Sequence, residues 1–221
     1  MNENIINTIL LAGLFLALFA FAELLHHKFK VKAELTRKTV HLGTGLLTLL
    51  FPLWLNNHWF VLALCSSFLL ILLFSLQFNL LPSINGVNRK TRGSILFPII
   101  VYGCFLVYNQ YESLIYFYIP ILILAICDPI AALVGKKFQI GKYKILGHTK
   151  TLIGSAAFCV SAFVVTAISM SLLSQVIINE ILLFSFIIAL LTTIAEAISQ
   201  KGYDNFTIPV TAIVLLIFFI N

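Results

Sequence analysis

Apolar runs long enough to cross a lipid bilayer recur along this chain from one end to the other, and that recurrence leaves few folds open to it. A helix needs about 20 residues to cross ~30 Å of hydrocarbon. Runs of that order lie near residues 5–25, 40–55, 59–78, 95–110, 114–134, 151–173, 181–199 and 206–220. The second, fourth and eighth are short, which fits helices that are tilted beside thinner bilayer or shielded by neighbours. With 61% hydrophobic residues, 10% charged residues and a mean hydropathy of +1.06, an ordinary soluble domain is excluded. The expected fold is an all-α integral membrane protein, a bundle of about eight transmembrane helices. No linker, low-complexity tract or clear repeat divides residues 1–221, so one membrane domain is expected. The opening MNENIIN lacks a basic n-region, so the first run reads as a retained helix and not as a signal peptide.

Charge then orients the bundle. Lys28, Lys30, Lys32, Arg37 and Lys38 fall in the first connector, Arg89, Lys90 and Arg92 in the third, Lys136, Lys137, Lys142, Lys144 and Lys150 in the fifth, and Lys201 in the seventh. These are all 14 Lys and Arg, and none lies around 56–58, 110–113 or 174–180. The positive-inside rule places both termini outside and the basic loops in the cytoplasm. The net charge of +6 thus reflects orientation and anionic ligands, not nucleic acid, because it is divided among loops without aromatic interleaving. Glu23, Glu34, Asp128, Glu196 and Asp204 are assigned to the same face, where a water-soluble phosphate donor arrives. A transporter would place charges near the bilayer midplane. Cys65, Cys104, Cys127 and Cys159 stand alone and read as packing residues.

The densest chemistry lies at 127–158. Asp128 ends an apolar run, five lysines follow, and a new apolar run begins at Thr151. Lysines neutralise phosphate oxygens, an Asp holds a divalent cation or takes a proton, and Gly/Ser backbone approaches an anion closely. A loop that only sets topology reads equally well from these residues alone. A P-loop is excluded, since five residues separate Gly135 from Gly141 where four are required, and Tyr143 replaces Ser/Thr. In the fifth run Asp128, Ala131 or Ala132, and Gly135 share a narrow face. Pro129 withholds an N–H from the carbonyl of Ala125, leaving that oxygen for a metal or hydroxyl, or marking a simple kink. In the seventh run Thr192, Glu196 and Ser199 recur at i, i+4 and i+7, aiming Glu196 into the bundle as part of a site or of a structural network. Arg37 and Lys38 lead to His41, which touches substrate or anchors a helix at the surface. Asn88, Arg89, Lys90 and Arg92 precede the fourth run, where they help hold an anion or set topology. Asp204 or Asn205 is placed to cap the eighth. His26 and His27 read as interfacial.

In order, RKTVH (37–41), RGSILFP (92–98), DPIAALVGKKF (128–138), KTLIGSAAF (150–158) and EAISQKGYDNFTIP (196–209) resemble the polytopic lipid-alcohol kinases, the family of dolichol kinase, phytol kinase and CTP-dependent diacylglycerol kinase. The likeness runs from the second helix to the eighth. It implies transfer of the γ-phosphate of CTP to a polyprenol, a phytol-like isoprenoid or diacylglycerol, with Mg²⁺ or another divalent cation. Carried over by position, it implies catalytic roles for Asp128, Lys150 and Asp204, and phosphate or nucleotide contacts from Lys136, Lys137, Lys150, Thr151, Gly154, Ser155 and Arg92. It implies Asp128, Glu196 and Asp204 as metal ligands, and substrate or supporting contacts from His41, Arg37, Lys38 and Asn205. The lipid hydroxyl would enter at headgroup depth with its tail in the bilayer, and Asp128 would orient or deprotonate it. In a bacterium the protein would lie in the plasma (inner) membrane with its active site on the cytoplasmic side. Gln139 stands where a glycine often follows the Lys-Lys-aromatic run, and Ile153 where an acid is common before Gly-Ser. A phosphatidate cytidylyltransferase-like enzyme shares part of this pattern, but its long C-terminal signature is missing from 196–209. A transporter or assembly protein would use the basic loops for anchoring alone.

Overall fold

The computed structural model describes residues 3–78, 80–85 and 92–220. Helix α1 spans Glu3–His27, α2 Ala33–Thr48, α3 Phe51–Trp54, α4 His58–Gln77, α5 Pro82–Asn85 and α6 Gly93–Tyr111. Helix α7 (Ile115–Leu122), a π turn (Ile123–Cys127) and α8 (Asp128–Phe138) follow without a break. A hairpin of β1 (Lys142–Ile145) and β2 (His148–Thr151) leads to α9 (Leu152–Leu173), α10 (Ile178–Ile198) and α11 (Asp204–Ile220). Among the described residues six segments are long and apolar enough to cross a membrane, with α11 a shorter apolar helix. The chain is an all-α polytopic membrane protein.

Three stretches differ from the sequence expectation. Helix α2 begins at Ala33 and not near 40, so Arg37 and Lys38 are helical and not in a loop. Its first turns, AELTRK, are made of residues that helices tolerate well, and their polar side chains need no hydrocarbon match. Helix α8 likewise runs past 134 through Lys136 and Lys137, ending at Gln139 in the left-handed conformation with φ 49. That geometry favours glycine, which accounts for the residue type usual there in the resembling family. The rest of the lysine tract is a β-hairpin, with Tyr143 opposite Lys150 and Ile145 opposite His148. Leu146 and Gly147 both have positive φ, the requirement of the tight two-residue turn whose twist matches paired strands. Asn88, Arg89 and Lys90 lie outside the described residues.

The rod Ile115–Phe138 is the centre of the bundle. Its apolar window is 61% buried, against 22–39% for the other five spans. Tyr116, Phe117, Ile119 and Ile121 are all at most 2% exposed, so neighbouring helices surround this segment. The rod therefore fixes Asp128, at its exit from the core, relative to everything else. Helices α8 and α9 cross at glycines: a Cβ on Gly154 would lie 3.0 Å from the Ala131 carbonyl and 3.2 Å from the Gly135 Cα. Thr151 caps α9 by accepting from the Gly154 N–H at 3.2 Å. At the other side of the site, Arg92 N donates to Lys201 O (2.7 Å) and Asn205 Nδ2 to Gly93 O (2.8 Å), tying the start of α6 to the start of α11.

Candidate active site

A cavity of about 1240 Å³ opens where these elements meet. It exceeds the ~300–1,000 Å³ that encloses one drug-sized ligand. Its outer part gathers polar side chains from four separate regions: Glu34, Arg37, Lys38 and His41 of α2, Ser94 of α6, Asp128 and Lys136 of α8 with the hairpin, and Glu196 to Asn205 around the α10–α11 connector. Of the charged residues that the sequence assigns to one face, Glu34, Arg37, Lys38, Asp128, Lys136, Lys142, Lys150, Glu196, Lys201 and Asp204 share this space.

Two ion pairs span it. Lys38 Nζ lies 2.5 Å from Asp128 Oδ2, and Lys150 Nζ lies 2.5 Å from Glu196 Oε1, each pair with side chains no more than 20% exposed. Lys150 also donates to the backbone carbonyl of Glu196. A third pair, Lys136 with Glu34, sits at the more exposed mouth. Asp204 is within electrostatic range of Asp128, Lys38 and Lys150. Its Oδ1 accepts from the Asn205 N–H at 3.0 Å, and among the described residues no cation pairs with it. Lys150 reaches its position because β2 lays its side chain on the same face as Tyr143, whose hydroxyl meets Ser155 Oγ at 2.7 Å.

The π turn explains the histidine. A π turn pairs residue i with i+5, so the partner of Leu124 would be Pro129, which has no N–H. His41 Nε2 supplies the missing donor to Leu124 O at 3.1 Å. The carbonyl that His41 engages is Leu124's, one residue before the Ala125 carbonyl that an α-turn at Pro129 would leave free. His41 docks α2 onto the rod while lining the cavity.

Among the residues expected from the sequence, Asp128, Lys136, Lys150, Thr151, Gly154, Ser155, Glu196, Asp204, Asn205, Arg37, Lys38 and His41 border the cavity. Two do not. Lys137 is exposed beside the Phe138 ring, since adjacent helical positions point about 100° apart and Lys136 takes the inward one. Arg92 is exposed and donates to the Tyr203 hydroxyl at 2.6 Å, so it braces the α11 entry. Gly154 closes the α8–α9 crossing, and its N–H is already used by Thr151. Thr192 bonds back to Ile188 O and belongs to the helix interior. Glu34, Tyr143 and Ser94 were not singled out as site residues. A helical period through Glu34, Lys38 and His41 is the signal that would have included Glu34.

The donors suit a hard cation in kind: Asp128, Glu196 and Asp204 offer only oxygens. Among the described residues no group of three or more His, Cys, Asp or Glu forms a ready-made cluster. Mg²⁺ takes one or two carboxylates together with phosphate oxygens, so this arrangement fits it.

No protein-family model matches the chain, and no solved structure matches it. A phytol kinase of Synechocystis sp. is 30% identical over 192 residues, which cover 85% of this chain and 80% of that protein. A relationship of that extent removes the anchoring-only reading. The chain belongs to the family of polytopic lipid-alcohol kinases to which phytol kinase belongs, and it is an enzyme that moves a phosphoryl group from a donor to a lipid alcohol.

Proposed function

We propose that this kinase transfers the γ-phosphoryl group of CTP to the hydroxyl of a phytol-like isoprenoid alcohol, with Mg²⁺, at the cytoplasmic side of the membrane. The observation that carries this reading is the cavity itself: paired lysines and four acids at its polar end, apolar walls further in. The phytol kinase relative supports the isoprenoid, and the motif resemblance supports CTP.

Lys150, Lys38 and Lys136 neutralise phosphate oxygens. Their carboxylate partners Asp128, Glu34 and Glu196 supply the counter-charge that an ammonium withdrawn from water needs, a role that phosphate oxygens can take over. Phosphoryl transfer asks mainly for position and charge neutralisation, with the attacking and leaving oxygens in line. The lipid hydroxyl oxygen attacks the γ-phosphorus, the bond to the β–γ bridging oxygen breaks, CDP leaves, and the hydroxyl proton passes to Asp128. Asp128 with Glu196 or Asp204 would hold Mg²⁺, which would supply neutralising charge to the phosphates of the donor. Thr151 and Ser155 offer hydroxyls at the first turn of α9, and Asn205 keeps α6 in register by holding Gly93.

Label distinguishes the bond that breaks. With purified protein, Mg²⁺ and phytol, label from γ-labelled CTP is expected in the organic phase and label from α-labelled CTP is not. Asp128→Asn and Asp204→Asn are each expected to abolish that transfer while the protein stays monodisperse in detergent. Entry of α-label would assign a cytidylyltransferase reaction instead, and full activity in Asp204→Asn would remove that residue from the site.

A further inference from the structure

We infer that the inner part of the cavity is a blind slot that takes up the substrate's tail inside the protein and measures its length, with Phe51 as the stop; this rests on the lipid-alcohol reading above. The sequence leaves the tail in the bilayer, but the cavity does not end at the polar site. It continues along α2 past Thr44 and Thr48 to Phe51 of α3, walled by Phe15 and Phe19 of α1 and by Leu64, Phe68 and Leu72 of α4. From Lys38 to Phe51 is thirteen residues, or roughly 20 Å at 1.5 Å per residue.

The far end is backed by core side chains. One helical turn beyond the lining residues come Leu11, Leu55, Val61 and Phe105, each at most 1% exposed. Phe51 is held edge-on against Phe15, with ring centroids 6.0 Å apart, and stacks on Phe117 of the central rod at 6.5 Å. An aromatic wedged between two helices in this way cannot swing aside without moving the core.

Lipid is as apolar as such a slot, so sequestering the tail gains little by itself. What the slot does is place the hydroxyl. With one end against Phe51, a tail of the right length brings its hydroxyl level with Asp128 and Lys38; a shorter one leaves it below the acids and a longer one holds it out of line. One leaflet of a ~30 Å hydrocarbon core is about 15 Å deep, so the slot takes roughly one membrane tail. A four-unit isoprenoid matches that length, whereas a long polyprenol and a two-tailed diacylglycerol do not. The slot is therefore selective for single tails of about four isoprene units.

The test is a kcat/KM profile in detergent for isoprenoid alcohols of two, three, four, five and nine units and for diacylglycerol. Wild type is expected to peak at four units and to fall at least ~10-fold for the nine-unit alcohol and diacylglycerol, on the scale that a mismatched apolar pocket enforces. Phe51→Ala lengthens the slot and is expected to raise the five-to-four-unit ratio at least ~10-fold; Cys65→Phe, which narrows it near its end, is expected to move the optimum to three units or fewer. Should Phe51→Ala fail to fold, the wild-type profile and Cys65→Phe still decide. A flat wild-type profile, or ratios unmoved in the variants that fold, overturns the slot while leaving the kinase reading intact. A wild type that phosphorylates none of the alcohols with any nucleotide overturns both.

Discussion

Lys150 donates twice to Glu196, to the carboxylate at 2.5 Å and to the backbone carbonyl, and the two side chains are only 20% and 11% exposed. That geometry makes a single substitution ambiguous. Removing one partner of a withdrawn pair strands the other charge, at a cost of ~3–5 kcal/mol, so Lys150→Ala combines a stability loss with any catalytic one. Pairing it with Glu196→Gln removes the stranded charge. We expect Lys150→Ala to lower turnover at least ~100-fold, the scale of losing a placed electrostatic contact. In the double variant the melting temperature is expected to recover and turnover is not. Recovery of both would mean that Lys150 only neutralises Glu196. Lys144, exposed and outside the cavity lining, is the control: Lys144→Ala is expected to keep near-normal turnover.

At the scale of elements, the short connectors decide where the polar ends meet. Gly147 in the hairpin turn and Gly202 before α11 both have positive φ, 84 and 89. Their surroundings differ. A Cβ on Gly147 meets nothing within 4 Å, whereas one on Gly202 would run into the backbone nitrogen of Gly93. Both alanine variants carry a left-handed penalty of ~1 kcal/mol, and only Gly202→Ala adds overpacking of ~1–3 kcal/mol. Thermal unfolding in detergent is expected to show a small loss for Gly147→Ala and a clearly larger one for Gly202→Ala. Turnover should fall with the second, because displacing Gly93 shifts Ser94 at the cavity wall. Equal melting shifts would mean that the contact between Gly202 and α6 is loose.

For the whole molecule, the residues that line the mouth come from the start of α2, the start of α6, the segment from α8 to β2 and the α10–α11 connector, so they share one end of the bundle. We propose that this end is cytoplasmic. In a variant whose native cysteines are replaced, Glu34→Cys and Lys142→Cys are both expected to react with a membrane-impermeant maleimide only after the cells are opened. Labelling of position 142 in intact cells would reverse the orientation and the side from which the donor enters.

Hydropathy and charge act locally, and what they dictate was legible in the chain: the apolar spans, the alternation of basic connectors, and Asp128, Lys150, Glu196 and Asp204 as groups that end up around one cavity. Helix ends were less legible, because polar residues that leave the hydrocarbon still carry on a helix, as at 33–39 and 135–138. Partnership was not legible at all. Lys38 and Asp128 are 90 residues apart, and Glu34 and Lys136 are 102 apart, and nothing in either neighbourhood names the other. Only the packing of α2 on the central rod, through His41 and the carbonyl of Leu124, brings them together. The slot is a further step removed, since Phe15, Phe51 and Phe68 read along the chain as lipid-facing or core residues like any other. Their common cavity exists because three helices present them to the same space, and that is a property of the fold alone.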